Sequence, residues 1–213
     1  MLLVLAGMIG AGKSSYTEMV AKNLGTEAFY ESVTYNPVLD KFYEDPEKWA
    51  FSLQIYFLNS RFRSIKAAMG NDNNVLDRSI YEDVLFTRIN HLRGTISDVE
   101  MAIYEDLLEN MMEELEGTPK KAPDLLIYLE GSFETILERI RERGRSYEYV
   151  EEGDERYNYF KLLWDHYREW YEAYDYSPKM SINIDHFDLK AHPEQEEEVM
   201  QLIKAKLKEV RAV

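Results

Sequence analysis

The chain has 213 residues, 45% of them apolar and 13% aromatic, enough to bury a sizeable core without disulfides or a structural metal. A formal charge of −15 opposes binding to nucleic acid polymers and to anionic membrane surfaces. With no cysteine and four scattered histidines, disulfides, thiolate catalysis and thiolate metal sites are excluded and a His-based zinc site is disfavoured.

In chain order, residues 1–6 form an apolar run without a basic n-region, too short to span a bilayer; they predict a first strand in a cytoplasmic protein. Gly7-Met8-Ile9-Gly10-Ala11-Gly12-Lys13-Ser14 follows and matches G-x-x-x-x-G-K-[ST], the phosphate-binding loop, before a helix predicted over 15–24. In such a loop the backbone amides around Gly7, Gly10, Ala11, Gly12 and Ser15 cradle phosphates, Lys13 reaches the outer ones, and the Ser14 hydroxyl can ligate Mg²⁺. A nucleoside triphosphate with magnesium is the expected ligand, although the loop by itself does not separate kinases from switches or motors.

Residues 27–30 can add a strand, and Asn36-Pro37 and Asp45-Pro46 each pair a capping side chain with proline at a first helical position. Residues 46–69 read as a long helix and 74–76 as a buried strand that delivers Asp77 to its carboxyl end. Ser97-Asp98-Val99-Glu100 fits a capping box for a helix to residue 116, whose stripe of Val99, Ile103, Leu107, Leu108, Met111, Met112 and Leu115 is apolar.

Strands are expected at 125–129 and 180–184, with a helix from about Ser132 between them and a last helix over 193–210. The aromatic residues Tyr157, Tyr159, Phe160, Trp164, Tyr167, Trp170, Tyr171 and Tyr174 recur at roughly helical spacing and are assigned to packing. The alternation of short apolar runs and helices predicts an α/β fold with a largely parallel sheet, in one domain spanning 1–213.

Several blocks then fall in one order: Tyr30-Glu31-Ser32-Val33, Gln54 within Phe51-Ser52-Leu53-Gln54, Asp77-Arg78-Ser79, and the arginines Arg139, Arg143 and Arg145 around Gly144. Together they resemble the deoxynucleoside kinase family, and within it the bacterial deoxyadenosine and deoxyguanosine kinases. The resemblance implies a three-layer P-loop kinase fold with an arginine-rich lid over about 139–153. It implies ATP as donor, Mg²⁺, a deoxyribonucleoside acceptor, purine selectivity carried by Gln54, Arg61 and Asp83, and a homodimer.

By the same resemblance Glu31 is the base at the 5′-hydroxyl, Arg78 and Lys13 offset charge on the transferring group, and Asp77 joins Ser14 near the metal. Tyr43 is implied at the sugar 3′-hydroxyl. The family pairs that tyrosine with a glutamate after the lid; Tyr157 or Asn158 stands at the aligned place, and Glu155 is the nearest substitute. A nucleoside monophosphate kinase and a P-loop nucleotide-binding regulator are the competing expectations.

Overall fold

A computed structural model of the chain describes residues 1–30, 36–68, 73–115 and 122–211. Five parallel strands form its sheet: β1 (Leu2–Gly7), β2 (Glu27–Phe29), β3 (Asn74–Asp77), β4 (Leu125–Glu130) and β5 (Lys179–Asn183), in the spatial order β2-β3-β1-β4-β5. The central strands read as unbroken apolar runs because helices cover both of their faces. Alternation along β1 separates two clusters: Leu3 and Leu5 enter the main core, whereas Leu2 and Val4 pack with Ala68 and Leu76.

The helices are α1 (Lys13–Leu24), α2 (Leu39–Glu44), α3 (Pro46–Ala68), α4 (Ile80–Leu92), α5 (Asp98–Glu113), α6 (Phe133–Arg143), α7 (Glu155–Ala173) and α8 (Glu196–Arg211), with short 3₁₀ turns at Ser146–Glu148 and Pro193–Gln195. Each parallel strand returns through at least one helix, as parallel pairing demands. The predicted α/β class, strand positions and most helices agree with this arrangement.

Two local expectations change. Asn36 Oδ1 accepts from the amides of Val38 and Leu39, at 2.9 and 3.1 Å, so the chain turns across Pro37 and α2 starts at Leu39 instead of at the proline. The last helix is preceded by a 3₁₀ turn that takes Pro193, and regular α-helix begins at Glu196. The apolar stripe from Val99 to Leu115 divides: Leu107, Leu108, Met111, Met112 and Leu115 join a buried cluster with Tyr104, while Val99 and Ile103 are 69% and 51% exposed. By contrast, Asp45 Oδ1 caps α3 through the Lys48 amide, and Ser97 with Glu100 forms the expected capping box.

Candidate active site

The carboxyl ends of β1 and β3 lie side by side, with Leu5 opposite Asp77 in the register and the Arg78 amide donating to the Leu5 carbonyl at 2.8 Å. Adjacent carboxyl ends in an open parallel sheet are where ligands collect. Here they open into a cleft of about 900 Å³.

The floor is the phosphate-binding loop. Gly10 adopts φ +88°, and a Cβ there would lie 2.8 Å from Ile140 Cγ1 and 3.0 Å from the Ile136 carbonyl oxygen, so a side chain fits neither the backbone nor the space. The loop's turn therefore depends on glycine and on α6 lying against it. Helix α1 starts at Lys13 and turns its N-terminal amides and positive dipole end to the cleft that Lys13, Ser14 and Ser15 line. Lys13 Nζ is buried and donates to the carbonyls of Gly7 and Met8 at 2.8 and 3.0 Å.

Beside the loop, Ser14 Oγ donates to Asp77 Oδ2 at 2.5 Å. The hydroxyl and carboxylate stand next to the phosphate cradle as hard oxygen donors. That is a donor set suited to Mg²⁺, which takes one or two protein oxygens and completes its shell with water and phosphate.

Arg78 follows Asp77 and is the non-glycine residue with left-handed backbone among the described residues, at φ +85°. Its side chain is buried, lies 4.5 Å from the Phe86 ring centroid, and donates from Nη1 to Glu82 Oε1 and the Tyr167 hydroxyl at 3.2 and 3.0 Å. A side chain pinned on several sides offsets the strain of that backbone conformation.

Further into the cleft, Gln54 of α3 and Asp83 of α4 line the wall, both buried. Arg61 holds Asp83 in a two-pronged ion pair, Nε to Oδ2 at 3.0 Å and Nη2 to Oδ1 at 2.8 Å. Removing one partner from so buried a pair costs about 3–5 kcal/mol, so the pair also fixes α3 against α4. Tyr43 of α2 is buried, stacks on Tyr147 with ring centroids 5.5 Å apart, and forms part of the same wall. Burial above all, with the nearby Glu148 carboxylate next, pushes its phenol well above the usual 10.0, so it stays a neutral hydroxyl.

The three arginines expected in a lid all line the cleft. Arg139 on α6 donates to the carbonyls of Ala11 and Ile184 at 3.2 and 3.3 Å and pairs with Asp188 at 3.3 Å. Arg143, also on α6, and Arg145, just beyond its Gly144 cap, both pair with Glu148; the Arg145 contact is 3.3 Å.

One cleft residue that the sequence pattern did not single out is Glu148. It is 3% exposed, lines the cleft and sits beside Tyr43. Its signal was the spacing Arg143-Gly144-Arg145-Ser146-Tyr147-Glu148, an acid one short turn after two cations. Glu155, the substitute named from sequence, does not line this cleft: its side chain is 74% exposed, pairs with Arg93 at 2.7 Å, and borders an adjoining cleft on the other side of Tyr43 and Tyr159. Tyr157 packs edge-on against Phe133, and Asn158 is exposed. The 3₁₀ turn explains the shift, because it brings position 148 back to the cleft before α7 begins.

Two further differences concern aromatic and polar residues. Tyr159, assigned to packing, is buried in the core as expected and lines the cleft as well, while Trp164, Trp170 and Tyr171 pack against the core. Asp188, Leu189 and Lys190, past β5, close the cleft opposite α6 and carried no recognisable motif. Glu31 and the residues that follow it to 35 lie outside the described residues.

The chain's likenesses agree with this geometry. The deoxynucleoside kinase family model matches residues 3–208. The chain is 54% identical over 209 residues to a deoxyguanosine kinase of Lactobacillus johnsonii, covering 98% of this chain and 93% of that one. It is 46% identical to a deoxyadenosine kinase of Lactobacillus acidophilus, covering 98% and 97%. Among solved structures, a deoxyadenosine kinase from M. mycoides with bound dATP superposes with a TM-score of 0.81 at 31% identity, over 96% of this chain and 100% of that one. A phosphate loop at the floor, cations at the rim and a polar wall deep enough for a nucleoside thus occur in a chain that belongs to the deoxynucleoside kinase family.

Proposed function

We propose that this deoxynucleoside kinase transfers the γ-phosphoryl group of ATP to the 5′-hydroxyl of a purine deoxyribonucleoside, as a salvage enzyme of the cytoplasm that works as one domain over 1–213 and assembles as a homodimer. The observation that carries the purine reading is the wall in which Gln54 and Asp83 line the cleft, Asp83 held in place by Arg61, so that an amide with donor and acceptor and a carboxylate acceptor meet a base edge. The deoxyguanosine and deoxyadenosine kinases at 54% and 46% identity support the same class.

In this reading the amides of the phosphate loop, from Gly7 through Gly10, Ala11 and Gly12 to Ser15, hold the donor's phosphates with Lys13. Ser14 and Asp77 are the residues that would hold Mg²⁺, whose chemistry when bound is to neutralise charge on the outer phosphates. Glu31 accepts the proton of the 5′-hydroxyl, the 5′-oxygen bonds to the γ-phosphorus, and the bridging oxygen departs with ADP. Arg78 offsets charge on the transferring group, and Arg139, Arg143 and Arg145 close over the donor. Tyr43, kept protonated by its burial, and Glu148 receive the sugar 3′-hydroxyl.

Catalytic efficiency measured for all four deoxynucleosides, on the wild type and on an Arg61→Met, Asp83→Leu double variant, tests the assignment. Deoxyguanosine or deoxyadenosine should exceed thymidine by about a hundredfold or more, since a polar pocket left unpaired rejects the wrong ligand strongly. The double variant should lose purine use most. Thymidine as the best substrate, or an unchanged ranking in the double variant, would overturn the purine reading.

A further inference from the structure

The first turn of α4 carries a carboxylate that the reaction as described does not use. Glu82 is fully buried, and its acceptors face three different parts of the site. Oε1 accepts from the Gly7 amide at 2.9 Å, from Arg78 Nη1 at 3.2 Å and from the Tyr167 hydroxyl at 2.7 Å; Oε2 accepts from the Ser79 amide at 3.1 Å. The Ser79 contact is the ordinary half of a capping box at the start of α4. The contacts through Oε1 reach beyond the helix.

Tyr167, on α7, closes the circuit. Its hydroxyl receives from Arg78 Nη1 at 3.0 Å and stands 2.7 Å from Glu82 and 3.0 Å from the Gly7 carbonyl oxygen. That same carbonyl accepts from Lys13 Nζ at 2.8 Å. The residue that opens the phosphate loop, Gly7, is therefore gripped at its N–H by Glu82 and approached at its C=O by Tyr167 and Lys13. Gly7 itself allows the close packing, since a Cβ there would fall 2.8 Å from the Leu129 carbonyl oxygen. Burial, and then the Glu82 charge, hold the Tyr167 phenol far above its usual range, so the hydroxyl remains a donor throughout neutral pH.

We infer that Glu82 and Tyr167 are positioning residues for phosphoryl transfer: they fix the Arg78 guanidinium relative to Gly7, the first residue of the phosphate loop. The inference rests on the role proposed above for Arg78. Electrostatic stabilisation of a transition state requires cations set in place before the reaction. Arg78 stands on a left-handed backbone, and the carboxylate and phenol meet the same nitrogen of its fork. A capping box alone requires only the Ser79 contact, whereas the contacts with Gly7, Arg78 and Tyr167 join two elements of the site to α7.

The test is steady-state kinetics with deoxyguanosine and ATP on Tyr167→Phe, Glu82→Gln, Arg78→Ala and the Arg78→Ala, Tyr167→Phe double variant, each with its melting temperature. Tyr167→Phe is expected to lower kcat about ten- to a hundredfold with both KM values within about threefold of wild type, the signature of support lost only in the transition state. In the Arg78→Ala background the same change should cost less than about twofold, because its partner is already gone. Wild-type kcat in Tyr167→Phe, or an undiminished loss on top of Arg78→Ala, would overturn the inference. A fully active Arg78→Ala enzyme would instead remove the Arg78 role, and with it the inference. Should Glu82→Gln fail to fold, the Tyr167 pair of variants still decides.

Discussion

At the scale of single residues, the cleft is organised by carboxylates placed among cations. Glu148 is the clearest case, since a nearly fully buried acid is tolerated here by the guanidinium groups of Arg143 and Arg145. If its service is to the sugar 3′-hydroxyl, Glu148→Gln should raise the KM for deoxyguanosine about tenfold or more and change the KM for ATP much less. Steady-state titration of each substrate separates the possibilities. A rise confined to ATP would assign Glu148 to the arginines alone.

At the scale of elements, the first turns of α5 carry apolar side chains that its core does not cover. Met101 and Tyr104 point inward, so Val99 and Ile103 are left at the surface, as is Leu92 at the end of the neighbouring α4. Exposed apolar side chains on neighbouring helices suit a second copy of the chain. Sedimentation of the wild type is expected to give a dimer, and Val99→Asp with Ile103→Asp is expected to give a monomer with unchanged helical circular dichroism. A wild-type monomer at every concentration would remove the dimer.

At the scale of the whole molecule, stability should be lost in alkali because the fold buries neutral phenols. Tyr16, Tyr81 and Tyr159 are each pushed up to about 12 by burial, the largest cause in every case. Between the unfolded value of about 10 and these folded values the unfolded chain releases protons that the folded one keeps, so stability falls as pH rises through that window. Below it these groups contribute no pH dependence. Urea midpoints should therefore be lower at about pH 11 than at about pH 8, and phenolate absorbance should grow together with loss of circular dichroism. Phenolate absorbance that saturates while the fold persists would contradict this.

Much of this protein was legible before any fold was in view. The phosphate loop is local in sequence, so its glycines, Lys13 and Ser14 could be recognised together. The α/β class followed from short apolar runs between helical patterns, and the family from several blocks in one order. Those signals are carried by neighbouring residues, whose spacing is the geometry. What only the tertiary structure decided depends on residues far apart in the chain: Glu82 meets Gly7 and Tyr167 across separations of 75 and 85 residues. Ser79-Ile80-Tyr81-Glu82 reads as a helix cap in sequence, and nothing local says that the carboxylate also grips the phosphate loop. Likewise, a 3₁₀ turn after α6 brings Glu148 and not Glu155 to the cleft, and the choice of Met101 and Tyr104 over Val99 and Ile103 as the buried face of α5 was made by the helices packed against it. A periodic pattern defines a helix's stripes, but burial is settled by which stripe finds a partner.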